Sequence, residues 1–194
     1  MVRSDEEEAV LDSQAYMFLT GTTPLMLPDD EHNRRLLGNV HPASWKNPEP
    51  SERYNIVVIG AGTAGLVTAA IAAGIGAKAA LVERDLMGGD CLNVGCVPSK
   101  AMIRASRAWA DLKRAGEFGL QIPAGVGHDF GTAMERMRRL RAHISPTDSA
   151  VRFTKLGVDV YFGTARFAGG EIIAVEGPAG NRRLTFSKAA VCTG

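Results

Sequence analysis

The stretch YNIVVIGAGTAGLVTAAIAAGIGAKAALVER, residues 54 to 84, leaves the chain few folds to choose from. A short β-branched run ends at Gly60, an alanine-rich segment with helical spacing follows, and a second apolar run ends at Glu83. That order is strand, helix, strand, the unit from which parallel α/β sheets are built. The junction reads Gly60-Ala61-Gly62-Thr63-Ala64-Gly65, a G-x-G-x-x-G that is weak alone and specific in this setting. Gly60 permits the tight turn, Gly62 lets the backbone approach a pyrophosphate, and Gly65 lets the helix pack closely on the sheet. The helix N-terminus then turns free N–H groups and a partial positive charge toward the phosphates. Glu83, eighteen residues past Gly65, is placed to accept hydrogen bonds from a ribose diol, and its charge disfavours a 2′-phosphate. The motif does not by itself say which dinucleotide binds.

With 194 residues, 45% of them hydrophobic, the chain has material for one well-packed domain and an appendage. The first 50 residues carry nine acidic and four basic side chains, and the remainder twelve and eighteen. The expectation is an acidic N-terminal extension over residues 1–50, disordered or wrapping the surface, on a mildly basic domain over 51–194. The alternative for the arm is docking through Met26, Leu27, Leu36, Leu37 and Trp45. A net charge of +1 gives no reason to expect nucleic acid or membrane partners. No apolar window of about 18 residues could span a bilayer, and the N-terminus lacks the apolar core of a secretory signal, so a cytoplasmic protein is expected.

Beyond residue 97, PSKAMIRASRAWADLKRAG predicts a helix with Pro98 near its start, Gly116 past its end, and an apolar stripe of Met102, Ile103, Trp109 and Leu112. A second helix is expected from about Thr132 to Leu156, bent at Pro146, with Met134, Met137, Leu140 and Ile144 buried and its arginine run solvated. The tail reads as strands in VDVYFGTARFA, EIIAVEG, RRLTFS and KAAVCTG, with GPAGN as a turn. The fold class is α/β: a Rossmann-like domain with a parallel sheet, flanking helices and a late β-meander.

The segment GGDCLNVGCVPSK, Gly88 to Lys100, holds two of the three cysteines. A structural disulfide is unusual in the cytoplasm, so a close pair is more often catalytic or metal-binding. His32, His41, His128, His143 and Cys192 supply no second ligand pair for zinc. Inert core thiols fit poorly with the glycine, proline and polar neighbours. A redox pair fits better, because Cys96 lies at the start of a helix whose dipole stabilises a thiolate. The cysteine nearer the helix is expected to face an electron donor, and Cys91 to meet a substrate.

GGDCLNVGCVPSK closely resembles the active-site signature of the FAD-dependent pyridine nucleotide-disulfide oxidoreductases, the family of dihydrolipoamide dehydrogenase, glutathione reductase and mercuric reductase. The valine before Pro98 looks most like the mercuric-reductase branch, and the resemblance runs over residues 53 to 194, YFGTARF and VCTG included. It implies FAD, with Gly60, Ala61, Gly62, Thr63, Ala64, Gly65, Glu83 and Arg84 around the ADP half. It implies further that Gly88, Gly89, Asp90, Cys91, Cys96 and Lys100 line the inner half. Thr164 and Ala165 would touch the adenine side through backbone groups, and Thr193 and Gly194 the flavin or pyrophosphate. By the same likeness electrons pass from NAD(P)H to FAD, to a Cys91–Cys96 disulfide, and on to a small disulfide or a thiophilic metal ion such as Hg(II). Cys96 would be the thiolate over the flavin and Cys91 the interchange thiol, while Cys192 is expected to be a small core residue.

Three departures qualify the likeness. Asp90 stands where many members carry threonine, and no metallochaperone module of the GMTCxxC type precedes the domain. There is also no second G-x-G-x-x-G. The chain therefore reads as the FAD and disulfide segment of a larger, homodimeric enzyme, without the NAD(P)H site. The alternatives are an FAD-binding module without turnover, and a thiol redox or interaction protein.

Overall fold

The computed structural model describes residues 26–194. Its elements are α1 (Glu31–Val40), β1 (Tyr54–Ile59), α2 (Thr63–Gly74), β2 (Ala79–Glu83), the one-turn α3 (Gly89–Asn93), α4 (Cys96–Lys113), α5 (Phe130–Ile144), α6 (Ala150–Lys155), β3 (Val158–Phe162), β4 (Thr164–Gly169), β5 (Ile172–Glu176) and β6 (Arg182–Val191). The six strands form one sheet in the order β3-β2-β1-β6-β5-β4. β3, β2, β1 and the second half of β6 run parallel, and β4, β5 and the first half of β6 form an antiparallel meander. The α/β class with flanking helices and a meander is what the sequence leads one to expect.

Alternation of side chains along the parallel strands divides the core in two. Val58, Ala79, Leu81, Val158, Val160 and Phe162 face the helices, where Leu36, Val40, Leu66, Ala69 and Phe153 meet them. Val57, Ala80, Val82 and Tyr161 face the other way, against Ile173, Val175 and Leu184 of the meander. Every residue of β2 is buried, as expected for a central parallel strand covered on both faces.

Several boundaries differ from the sequence reading. VDVYFGTARFA is two strands, broken at Gly163 so that β3 stays in the parallel sheet and β4 enters the meander. RRLTFS and KAAV are one strand, because β6 pairs Arg182–Thr185 with β5 and Phe186–Val191 with β1. The helix expected from Thr132 to Leu156 stops at Ile144, passes through a 3-10 turn at Ser145–Asp148, and restarts at Ala150. Pro146 has no N–H to continue the ladder, and Ser149, extended, caps the new helix by accepting from the Arg152 amide. The apolar stripe of α4 is only half-buried at Met102, Trp109 and Leu112, and Ile103 is exposed.

The described part of the arm docks. Asp30 caps α1 by accepting from the Asn33 amide, and Asn33, Leu36 and Val40 form its buried face. Burial opposes ionisation of Asp30, but the Asn33 amide and the Arg138 guanidinium outweigh it and hold its carboxyl below the ordinary aspartate value. Met26 and Trp45 also pack on the core, whereas Leu27 remains exposed; residues 1–25 lie outside the described residues. The arginine run is not a solvated face throughout. Arg141 is buried, donating to the Asn93 carbonyl at 2.7 Å and to Asn33 Oδ1 at 2.6 Å.

Further along the arm, buried Asn47 clips the end of β3. Its Oδ1 accepts from the Phe162 amide, and its Nδ2 donates to the carbonyls of Phe162 and Gly180. Asn47→Ala leaves three backbone groups without these partners and is expected to lower the unfolding free energy by about 2–4 kcal/mol, measured by urea denaturation.

Candidate functional site

The glycine turn joins β1 to α2 by contacts that exclude side chains. Gly60 takes φ +97° and donates its N–H to the Val82 carbonyl at 2.8 Å. A Cβ on Gly65 would lie 1.8 Å from the Gly60 oxygen, so α2 rests on the turn backbone to backbone. Gly62 is the N-cap of α2 with no side chain capping it, which leaves the helix N-terminus free for a ligand. Across from it stands the loop that leads into α3. A Cβ on Gly89 would come within 2.6 Å of Gly62 Cα.

Glu83, at the end of β2, is 9% exposed. Its Oε2 accepts from the Ala61 amide at 2.6 Å and its Oε1 from the Asp85 amide at 2.7 Å. Burial raises its pKa, and those amides offset part of the effect. The sequence suggested a ribose acceptor; the structure adds that the carboxylate ties the glycine turn to the loop after β2. A carboxylate has about four acceptor positions, so lone pairs remain for a diol.

A cavity of about 1620 Å³ follows the C-terminal edge of the sheet. It brings together Gly60, Gly62, Thr63, Ala64, Glu83, Arg84, Gly89, Asp90, Cys91, Thr164, Ala165, Thr193 and Gly194. Ala61, Gly65 and Gly88 are buried behind its wall. Cys96 and Lys100 differ from expectation: both are exposed on the first turns of α4, beyond the cavity. Cys192 packs partly against the core and lines the cavity as well. Six cavity residues absent from the sequence-derived site, Met26, Leu27, His41, Pro42, Ala43 and Trp45, come from the arm. No local motif marks them, since only the fold brings residues 41–45 beside 83.

The dithiol spans two helices. Cys91 sits in α3 and Cys96 opens α4 after Gly95, whose amide donates to the Asp90 carbonyl at 2.5 Å. Both thiols are free. The Cys91 pKa is raised, first by its hydrogen bond to Cys96 and then by burial, with the Thr63 hydroxyl and Lys100 acting in the opposite sense. Among the described residues no group of three or more His, Cys, Asp or Glu side chains is gathered to hold a metal ion, and no helix is long and apolar enough to cross a membrane.

The family model for pyridine nucleotide-disulphide oxidoreductases matches residues 54–194. The chain belongs to that family. Similar curated proteins include the dihydrolipoyl dehydrogenases of Acholeplasma laidlawii, 34% identical over 66% of this chain and 38% of that protein, and of Bacillus subtilis, 35% identical over 62% and 25%. That of Mycobacterium tuberculosis is 36% identical over 73% of this chain and 30% of that protein. Among solved structures, the HOCl-induced flavoprotein disulfide reductase RclA from Escherichia coli, in its Cu(II) complex, is 26% identical with a TM-score of 0.58, covering 74% of this chain and 29% of that one. The chain thus spans well under half the length of these relatives. The family consists of oxidoreductases that work with FAD and NAD(P)H.

The residues present fit the ADP half of FAD. The uncapped α2 N-terminus opens on the cavity with N–H donors suited to a pyrophosphate, the Gly62 and Gly89 backbones pass too close to admit a side chain, and Glu83 keeps acceptor positions on the same cavity. Asp90, exposed at the start of α3, brings a negative charge to the same edge.

Gly65→Ala drives a methyl into the Gly60 carbonyl and is expected to cost about 3 kcal/mol or more in urea denaturation. For Glu83 the sign is opposite to that of a salt-bridged acid. Its folded pKa lies above its unfolded value, so the folded state binds the proton more tightly. The associated stability is full below the ordinary glutamate value of 4.5 and falls as pH rises through the raised folded pKa. Urea denaturation of the ligand-free chain across that range is expected to show the decline, and Glu83→Gln to flatten it.

Proposed function

We propose that this chain binds FAD along the cavity and exchanges electron pairs between that cofactor and the Cys91–Cys96 pair, as the flavin and disulfide part of an NAD(P)H-dependent oxidoreductase. The single observation that carries the reading is one cavity running from Glu83, past the uncapped end of α2, to Cys91. When bound, FAD supplies a two-electron carrier between a nicotinamide and the dithiol.

The chain's own groups account for the rest. Gly60 and Gly62 keep side chains away from the pyrophosphate, and the α2 N-terminus offers it N–H donors. Glu83 accepts from the ribose hydroxyls. The neighbouring Cys96 and burial raise the Cys91 pKa, so Cys91 holds its proton more tightly than an ordinary thiol until a substrate is attacked. Toward a small disulfide, Cys91 gives up its proton and attacks one sulfur, releasing the other as a thiolate that takes a proton. Cys96 then attacks Cys91 in the mixed disulfide, freeing the second product thiol and forming the Cys91–Cys96 bond. Two thiols are oxidised and one substrate disulfide is reduced. A thiophilic metal ion such as Hg(II) is the other substrate class the dithiol suits, by thiolate ligation.

Reconstitution with FAD is expected to give a yellow protein. Limiting dithionite should then produce a long-wavelength absorption band that is lost in Cys96→Ser and kept in Cys91→Ser. Failure to retain any flavin would refute the FAD reading, and a band surviving Cys96→Ser would overturn the thiol assignment.

A further inference from the structure

The family match begins at residue 54, yet residues upstream of it line the same cavity as Glu83. They are fixed to the frame of that cavity. His41 Nδ1 donates to the carbonyl of Asp85, two residues past Glu83, and its ring lies 4.5 Å from that of Phe162. Trp45 meets Phe162 edge-on at 5.9 Å and donates its indole N–H to the Val160 carbonyl at 3.2 Å. The three rings stand at the C-terminal ends of β2 and β3, beside the residue placed for the ribose. In an open parallel sheet the base of a dinucleotide lies at this end.

The chemistry of the rings suits an adenine. Because Nδ1 donates to a carbonyl, Nε2 of the neutral imidazole is an acceptor, the complement of an exocyclic amine. The aromatic faces beside it match a flat base. The arm also reaches the other end of the cavity, where Met26 and Leu27 line it. There the Met26 sulfur contacts Arg141 at 3.1 Å, and the same guanidinium binds Asn33 of α1 and the Asn93 carbonyl of α3. The backbone between these ends is tied by the Met87 amide donating to the Val40 carbonyl.

We propose that residues 26–50 form a resident wall of the dinucleotide cavity, and that His41, with Trp45 beside it, recognises the adenine ring. The inference rests on reading the cavity as an FAD site and extends that site to a segment outside the family match. It makes ligand binding depend on the arm only where the ligand carries adenosine. ADP and FAD share that half; FMN does not have it.

The test is calorimetric titration of the full chain with ADP, FAD and FMN. His41→Ala is expected to weaken ADP and FAD by about tenfold, the loss of one hydrogen bond and a ring contact, and to leave FMN unchanged. An independent readout uses the two tryptophans of the chain. With Trp109→Phe, Trp45 becomes the sole emitter, and ADP is expected to quench it. Equal affinities for ADP in the unmodified and His41→Ala chains, with no change in Trp45 emission, would overturn the inference while leaving the FAD reading intact. An equal loss for FMN would overturn it too, by showing a general loosening. If the unmodified chain binds neither FAD nor ADP, the cofactor reading falls and this inference with it.

Discussion

The approach of Gly65 to the Gly60 carbonyl, close enough to exclude a single methyl group, sets the position of everything around the cavity. It seats α2 on the end of β1 and so decides where the helix N-terminus points. From there the constraints spread outward. The Glu83 carboxylate holds the Ala61 amide on one side and the Asp85 amide on the other, and the loop after β2 then carries the chain to Gly89 and the dithiol. A turn, a carboxylate and a helix start thus form one polar edge, built almost wholly from backbone groups.

The arm contributes a second framework, in which side-chain amides and one guanidinium meet each other and backbone carbonyls. Asn33, Arg141 and Asn93 come from α1, α5 and α3, and Asn47 joins the arm to β3. Arg141 is buried with carbonyl and amide acceptors and, among the described residues, no carboxylate within ion-pair distance, and burial lowers its pKa. Such a network is costly when half-satisfied, and it gives the docking of α1 a defined register that apolar contacts alone would leave looser.

The parts legible in sequence were those whose physics is local. Gly60, Gly62 and Gly65 announce their turn because each answers a steric demand within six residues, and Glu83 follows from the length of one strand–helix–strand unit. The Cys91–Cys96 spacing is local as well. What escaped depends on partners distant in sequence: Arg141 looked like another solvated arginine because Asn33 and Asn93 are about 108 and 48 residues away. The split of VDVYFGTARFA and the fusion of RRLTFS with KAAV were hidden for a related reason. Propensity marks a strand but not its partner, and here one strand changes partner midway while another run is split at a glycine between the two edges of the sheet.

That change of partner has a consequence for how the molecule assembles. β1 is made early, but its second neighbour is β6, where Ile56 meets Lys188, and the turn at Gly60 is backed by Cys192. A pairing so distant carries a large loop-closure cost and belongs among the slow events of folding. On a ribosome, strand β1 emerges with one edge open and stays so until β6 arrives. The cavity at the C-terminal edge of the sheet, lined in part by Cys192, Thr193 and Gly194 just after β6, closes only once that strand has paired.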